Sequence, residues 1–356
     1  MFESIGRRIR DFVAQVQDEL RRPYLIFEIT QRCNLNCRHC YNVWKGHEEY
    51  PPGELDINDV KELLCRAIEG SGSGHVTFTG GEPLLRGDLE DVVSFLTRRN
   101  VTSTLITNGT LLTEERCKSL VAAGVGLFEF PLNAADREIY NYMAGAEAFD
   151  KVVEAIVNVQ TAGGQAAGVF VATKLNIEQW PEVINLSIAL GLVGMLFNRF
   201  NPGGTGLKNI NELLIDDLRQ LTDALRVADE AVAANRMSIG IAVPIPDCVI
   251  EHSQFEHLQF HGCSAGTPSA YWTIDPLGNV RPCNHSGTIL GNLLEKDFSD
   301  IASSKEMESW LASTPSTCRQ CGKFKNCQGG CKAAAEACHG SIEKAEPFVQ
   351  MLRRDL

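Results

Sequence analysis

Thirteen cysteines punctuate this 356-residue chain, and their types of spacing define the chemistry open to it. Cys33, Cys37 and Cys40, in CNLNCRHC, form a Cys-x3-Cys-x2-Cys pattern. Cys263, Cys283, Cys318, Cys321, Cys327, Cys331 and Cys338 form a second group, while Cys65, Cys117 and Cys248 stand alone. The start, MFESIGRRIR, lacks the apolar stretch of an export signal, so the chain is expected in the cytoplasm, where thiols stay reduced. Clustered cysteines there point to metal or redox chemistry rather than disulfides. Three thiolates suit an iron–sulfur cluster; a four-iron cube takes four ligands, so one iron would stay open to a small molecule. Zinc is the alternative for this group and would need a fourth ligand, with His39 nearest in the chain.

Further candidates sit at the ends of predicted strands. HVTFTGGEPLL puts Gly80, Gly81, Glu82 and Pro83 where glycines allow close backbone approach and a carboxylate can accept from an ammonium group. Thr107, Asn108 and Gly109 end a third strand and Arg199 a sixth, although Asn-Gly is also a plain turn signal.

The elements that must position these residues are legible as alternation. Six short apolar runs start near residues 24, 75, 101, 125, 166 and 193, and amphipathic segments follow most of them. Such spacing predicts repeated βα units, an α/β fold with a parallel sheet closed into a partial (β/α)6 TIM-like barrel, and catalytic groups on the loops after the strands. Residues 1–22 read as an amphipathic N-terminal helix, 23–235 as the barrel closed by a helix from about Asn211 to Asn235, and 236–356 as a bridging strand (Met237 to Val243) and a small cysteine-rich domain. That last region is poor in long apolar elements, so metal clusters would have to staple it.

Composition narrows the function classes. With 44% hydrophobic and 22% charged residues the chain has globular character, and a net charge of −12 repels phosphate backbones and anionic lipid. No apolar run is long enough to cross a bilayer. Neither nucleic acid nor a membrane is expected as a partner.

The first cysteine motif, followed one βα unit later by GGEP, resembles the radical S-adenosylmethionine (SAM) superfamily. The resemblance implies a 4Fe–4S cluster on Cys33, Cys37 and Cys40 whose open iron is chelated by SAM. It further implies that reduction of the cluster cleaves SAM to methionine and a 5′-deoxyadenosyl radical that abstracts a substrate hydrogen. His39 matches the aromatic or histidine position before the third cysteine, and Tyr41 the position commonly placed near adenine. By the same resemblance Gly80 to Pro83 bind the SAM amino group, and Asn108 and Arg199 lie near the cofactor. Many relatives carry Ser-Leu-Asp after the fourth strand where this chain has Pro131-Leu132-Asn133, which leaves that loop without the usual SAM contact.

The second group, Cys263-x14-Gly278-x4-Cys283 and then Cys318-x2-Cys321-x5-Cys327-x3-Cys331 with Cys338 beyond, resembles the SPASM extension of such enzymes. Cys-x2-Cys-x5-Cys-x3-Cys taken alone would also suit zinc. The resemblance implies two auxiliary iron–sulfur clusters. Cys318, Cys321, Cys327 and Cys338 would hold the outer one, and Cys263, Cys283 and Cys331 the inner one. Relatives with a full inner set carry a further cysteine where this chain has Pro268; Cys248 and His261 are candidates for the missing ligand. His252, His257 and His285 read as ordinary polar residues. In sulfatase-maturing relatives an Asp follows the cysteine equivalent to Cys283 and acts as general base. Here it is Asn284, which cannot take a proton, so sulfatase maturation is disfavoured.

The leading expectation is therefore a radical SAM/SPASM enzyme that modifies a ribosomally made peptide by hydrogen abstraction and cross-linking or oxidation, reduced by a flavodoxin- or ferredoxin-type partner. About 22 residues precede the first strand, too few for a fused peptide-recognition domain, so a separate recognition protein or direct peptide binding is expected. The alternatives are a relative acting on porphyrin propionates in haem biosynthesis and a non-catalytic iron–sulfur electron carrier or zinc-stabilised module.

Overall fold

The six apolar runs become six parallel strands in sequence order: β1 (Tyr24–Thr30), β2 (His75–Gly80), β3 (Thr102–Ile106), β4 (Val125–Pro131), β5 (Ala166–Ala172) and β6 (Met195–Arg199). The computed structural model that shows this describes residues 23–45, 49–267 and 270–352. The helix expected within residues 1–22 and Pro268 lie outside them. All of β2 is buried, as expected of a parallel strand covered on both faces.

The intervening helices form because their apolar residues recur on one face and their ends are capped. In Ile57–Ser71, Val60, Leu63, Leu64 and Ala67 are buried at i, i+3, i+4 and i+7 spacing. Asp56 accepts from the backbone N–H of Asn58 and Asp59 at its start, and Gly72 ends it with φ +70°, a left-handed turn that glycine takes without strain. On the helix-covered side Trp180 packs between Phe170 and Phe197, with ring centroids 4.8 and 5.2 Å away.

Two differences from expectation have local causes. The closing helix is interrupted: a short turn at Ile210–Leu213 is followed by Leu218–Ala233, whose start Asp217 caps through Arg219 N–H at 2.8 Å. The bridging strand is only β7 (Ile239–Ile241), since the chain reaches Pro244 and Pro246, which cannot donate to a ladder.

The sheet does not stop at the barrel. Among the described residues it has ten strands in the order β10-β9-β8-β1-β2-β3-β4-β5-β6-β7. β8 (Tyr271–Ile274) pairs parallel to β1, and β9 (Asn279–Arg281) and β10 (Gly291–Asn292) extend it antiparallel. Asp275 shapes the β8–β9 turn by accepting from Leu277 and Asn279 N–H, both at 2.9 Å. Arg281 on β9 forms a wholly buried ion pair with Glu28 on β1. The second cysteine region is thus sewn to the first strand of the barrel by backbone pairing and by this buried side-chain contact.

Candidate active site

The loop after β1 carries Cys33, Cys37 and Cys40, and both of its ends are clamped by the Gly80-Gly81-Glu82 segment at the end of β2. Gly81 N–H donates to Thr30 O and Glu82 N–H to Arg32 O, each at 2.7 Å, while Asn42 Nδ2 donates to Gly80 O at 2.7 Å. This is why glycine is required there: a Cβ on Gly81 would lie 2.0 Å from Arg32 O, and one on Gly80 (φ +127°) 2.4 Å from Thr30 O. The loop is held elsewhere too. Asn108 Nδ2 donates to Asn34 Oδ1 at 2.9 Å, Arg38 N–H to Met143 O at 2.9 Å, and Gly206 N–H to Cys40 O at 2.9 Å.

The three thiols share one small space. Burial first, then the nearness of Cys40 and Cys33, pushes the Cys37 thiol up to about 12, and burial also raises Cys40. Three mutually repelling thiolates call for a cationic centre, and this donor set fits an iron–sulfur cluster with one iron left over. Between the thiols burial holds the His39 imidazole neutral, lowering it to about 4; its Nε2 lies 3.3 Å from Asn133 Nδ2 and its Nδ1 has no partner among the described residues. Asn133 thus meets the cysteine loop although its segment lacks the expected Ser-Leu-Asp run. No three His, Cys or carboxylate side chains among the described residues converge on a single ion-sized point, the arrangement that a mononuclear zinc ion needs.

Glu82 is buried beside this loop. Its Oε1 accepts from Leu84 N–H at 3.0 Å, capping the turn that Pro83 starts, and from Thr107 Oγ1 at 2.7 Å; its Oε2 accepts from Asn108 N–H at 2.8 Å. Burial outweighs these donors and raises its pKa. Glu82, Thr107 and Asn108, from the ends of two adjacent strands, therefore form one fixed constellation next to the cysteines.

Tyr41 and Arg199 each engage groups that are distant in the chain. The Tyr41 ring stacks on His285 at 4.0 Å and its hydroxyl accepts from Asn284 Nδ2 at 2.9 Å. Arg199, 1% exposed, donates through Nη2 to both carboxylate oxygens of Glu346 at 2.7 and 2.8 Å and through Nε to Pro244 O at 2.8 Å, with its guanidinium 4.4 Å from the centre of the Phe348 ring. Arg199 fastens the barrel to the C-terminal segment.

The second cysteine group divides in two. Burial raises the thiols of Cys263, Cys283 and Cys331; Cys331 and Cys263 add to the rise at Cys283, and the Glu346 carboxylate and Cys263 to that at Cys331, which reaches about 12. Asn201, on the loop after β6, donates to Cys331 Sγ at 3.2 Å, and Glu346 accepts from Cys331 N–H at 2.9 Å. Cys248, Cys318, Cys321 and Cys327 line a separate small cavity. Burial and the Glu346 carboxylate raise the Cys338 thiol to about 11.

Sequence reasoning missed Asn201, and it took His285 for an ordinary polar residue. His285 is held neutral by burial and by Arg281 and Arg199, with a pKa of about 3. With Gly203, Gly204, Tyr50, Thr288 and Glu336 it lines a cavity of about 390 Å³ between the barrel and the second cysteine region. Its place two residues after Cys283 was the signal available in the sequence. None of the described helices is long and apolar enough to cross a membrane.

Comparison with known proteins agrees with this arrangement. Residues 27–187 match the radical SAM superfamily and residues 263–327 the SPASM iron–sulfur cluster-binding domain. A PqqA peptide cyclase from Gluconobacter oxydans is 30% identical over 343 residues, which cover 92% of this chain and 90% of that protein. The mycofactocin maturase MftC of Mycolicibacterium smegmatis is 28% identical over 340 residues, covering 90% and 81%. An AdoMet-dependent heme synthase of Methanosarcina barkeri is 26% identical over 339 residues, covering 92% and 96%. The fold is that of Streptococcus suis SuiB, crystallised with S-adenosylmethionine, with a TM-score of 0.72 at 19% identity over 96% of this chain and 80% of that one. With a radical SAM match on the barrel, a SPASM match after it and relatives that span both parts, the chain belongs to the radical SAM superfamily as a SPASM-domain enzyme.

Proposed function

We propose that the protein modifies a ribosomally made peptide, with Cys33, Cys37 and Cys40 holding a 4Fe–4S cluster and Glu82 and Asn108 flanking its SAM. When bound, that pair would supply a 5′-deoxyadenosyl radical for abstracting a hydrogen from the peptide. Two auxiliary clusters, an inner one on Cys263, Cys283 and Cys331 and an outer one beyond it, would carry the departing electron or anchor substrate, and a flavodoxin- or ferredoxin-type protein would supply reducing electrons.

The observation that carries the reading is the juxtaposition of the three-thiol loop with the inner cysteine set through Tyr41, Asn284 and His285, beside a cavity of about 390 Å³. The chain's own groups have defined work there. The glycine clamp fixes the loop, the Thr107 hydroxyl and Asn108 N–H hold the Glu82 carboxylate in place, and neutral His39 adds no charge beside the thiols. The buried strand ends keep water from the reacting centre, which a radical requires. Asn284 offers no proton acceptor, which separates this chain from the general-base mechanism of sulfatase maturation. The names of two full-length relatives, a peptide cyclase and a mycofactocin maturase, support a peptide substrate.

Replacing Cys33, Cys37 and Cys40 together by Ala should remove one cluster's iron and all SAM cleavage while leaving the auxiliary iron; cleavage retained in that variant overturns the assignment. The heme synthase relative favours a second reading, action on porphyrin propionates. A mass shift on a candidate peptide supports the first, and loss of carbon dioxide from an iron porphyrin the second.

A further inference from the structure

We propose that Cys248, and not Cys338, is the fourth thiolate of the outer iron–sulfur site. Cys248, Cys318, Cys321 and Cys327 line one cavity, together with Gly329 and Val349. Four thiols around one space make the complete protein donor set of a four-iron cluster. Cys338 is absent from that wall; it lies on the last turn of the helix Lys332–His339.

Independent contacts hold the Cys248 segment at the site. The Asp247 carboxylate forms an ion pair with Lys323, which lies between Cys321 and Cys327 in the chain. Pro246 O accepts from Val249 and Ile250 N–H at 2.8 and 3.1 Å, a tight turn that contains Cys248. Gly329, at φ +80°, is close enough that a Cβ there would lie 3.5 Å from Cys318 Sγ, so the backbone itself forms part of the wall. Cys248 precedes the SPASM match, which starts at residue 263, so the ligand comes from outside the segment that defines the domain.

The proposal rests on the iron–sulfur reading above, and its test separates the two. Full-length wild type, Cys248→Ala, Cys338→Ala and the double variant Cys248→Ala/Val349→Cys are reconstituted anaerobically with iron and sulfide. Iron and sulfide per chain are then measured alongside low-temperature EPR. Cys248→Ala should lose about four irons per chain, or gain the signal of a three-iron remnant, while Cys338→Ala keeps the wild-type content and spectrum. The double variant, which returns a thiol to the same cavity wall, should recover the lost iron, a rescue that a merely structural cysteine would not give. Full iron in Cys248→Ala, or loss of the cluster in Cys338→Ala, overturns the proposal. An outer site that fills with zinc and is emptied by Cys248→Ala would keep the ligand assignment and overturn the cluster reading instead.

Discussion

Breaking the buried pair of Arg199 and Glu346 should cost far more than a surface ion pair, and removing both partners should cost far less than the sum of the single losses. The side chains are 1% and 0% exposed, joined by two hydrogen bonds of 2.7 and 2.8 Å, and Glu346 also holds Cys331 N–H. Removing one partner leaves the other charge buried and uncompensated, a loss of about 3–5 kcal/mol, whereas exchanging the whole pair for neutral groups is often nearly neutral. At roughly 2 °C per kcal/mol for a chain of this size, Arg199→Met and Glu346→Gln should each lower the Tm by roughly 6–10 °C. The double variant should fall no further than either single one, a coupling of about 3 kcal/mol or more in the cycle. The assay is anaerobic thermal unfolding followed by circular dichroism, with iron content measured on the same samples; the single variants should also lose iron, because Glu346 positions Cys331. Additive effects, with coupling under about 1 kcal/mol, would refute the view that this pair locks the C-terminal segment to β6.

Other outcomes follow from single contacts. Gly81→Ala must push Arg32 O from 2.0 Å, so the cysteine loop should shift and iron at the first site fall by about four atoms per chain while the auxiliary iron remains, as metal analysis would show. Trp180→Ala empties a fully buried site between Phe170 and Phe197 and should cost about 3–5 kcal/mol by denaturant unfolding without changing iron content. Burial raises the Glu28 pKa from 4.5 to about 7 against the pull of Arg281. The folded chain therefore keeps that proton over a range in which the unfolded chain has lost it, and this contribution to stability is full below pH 4.5 and disappears as pH rises through 7. Melting curves across pH 5–8 should show a downward slope in wild type that flattens in Glu28→Gln.

Much of the architecture was legible because it depends on local signals. The six strands stand where the apolar runs are, since β-branched and aromatic residues bounded by turn residues leave few alternatives, and Cys-x3-Cys-x2-Cys followed by Gly-Gly-Glu-Pro carries its own geometry: the glycines exist to let β2's end touch the cysteine loop. What escaped was tertiary. Tyr41 is 243 residues from Asn284, and Arg199 is 147 from Glu346; only the packing shows that each has so distant a polar partner. Cys248 stood alone in the chain, and the ligand sets around it came from the family resemblance, yet the turn at Pro246 and the ion pair from Asp247 to Lys323 bring it to the outer cavity. The break before Leu218 was hidden because Leu214 and Ile215 continue the apolar pattern, although both are buried in a connecting turn rather than on a helix face.

The central claim is that this chain generates a radical from SAM at the three-cysteine loop, and quantifying 5′-deoxyadenosine tests it most directly. Protein reconstituted anaerobically with iron and sulfide is given SAM and dithionite, with short candidate peptides present and absent, and the product is measured by chromatography. The account predicts 5′-deoxyadenosine above a no-protein control, abolished when Cys33, Cys37 and Cys40 are replaced together. A protein that carries its full iron and yields none with any peptide, or a triple variant that still cleaves SAM, would contradict it.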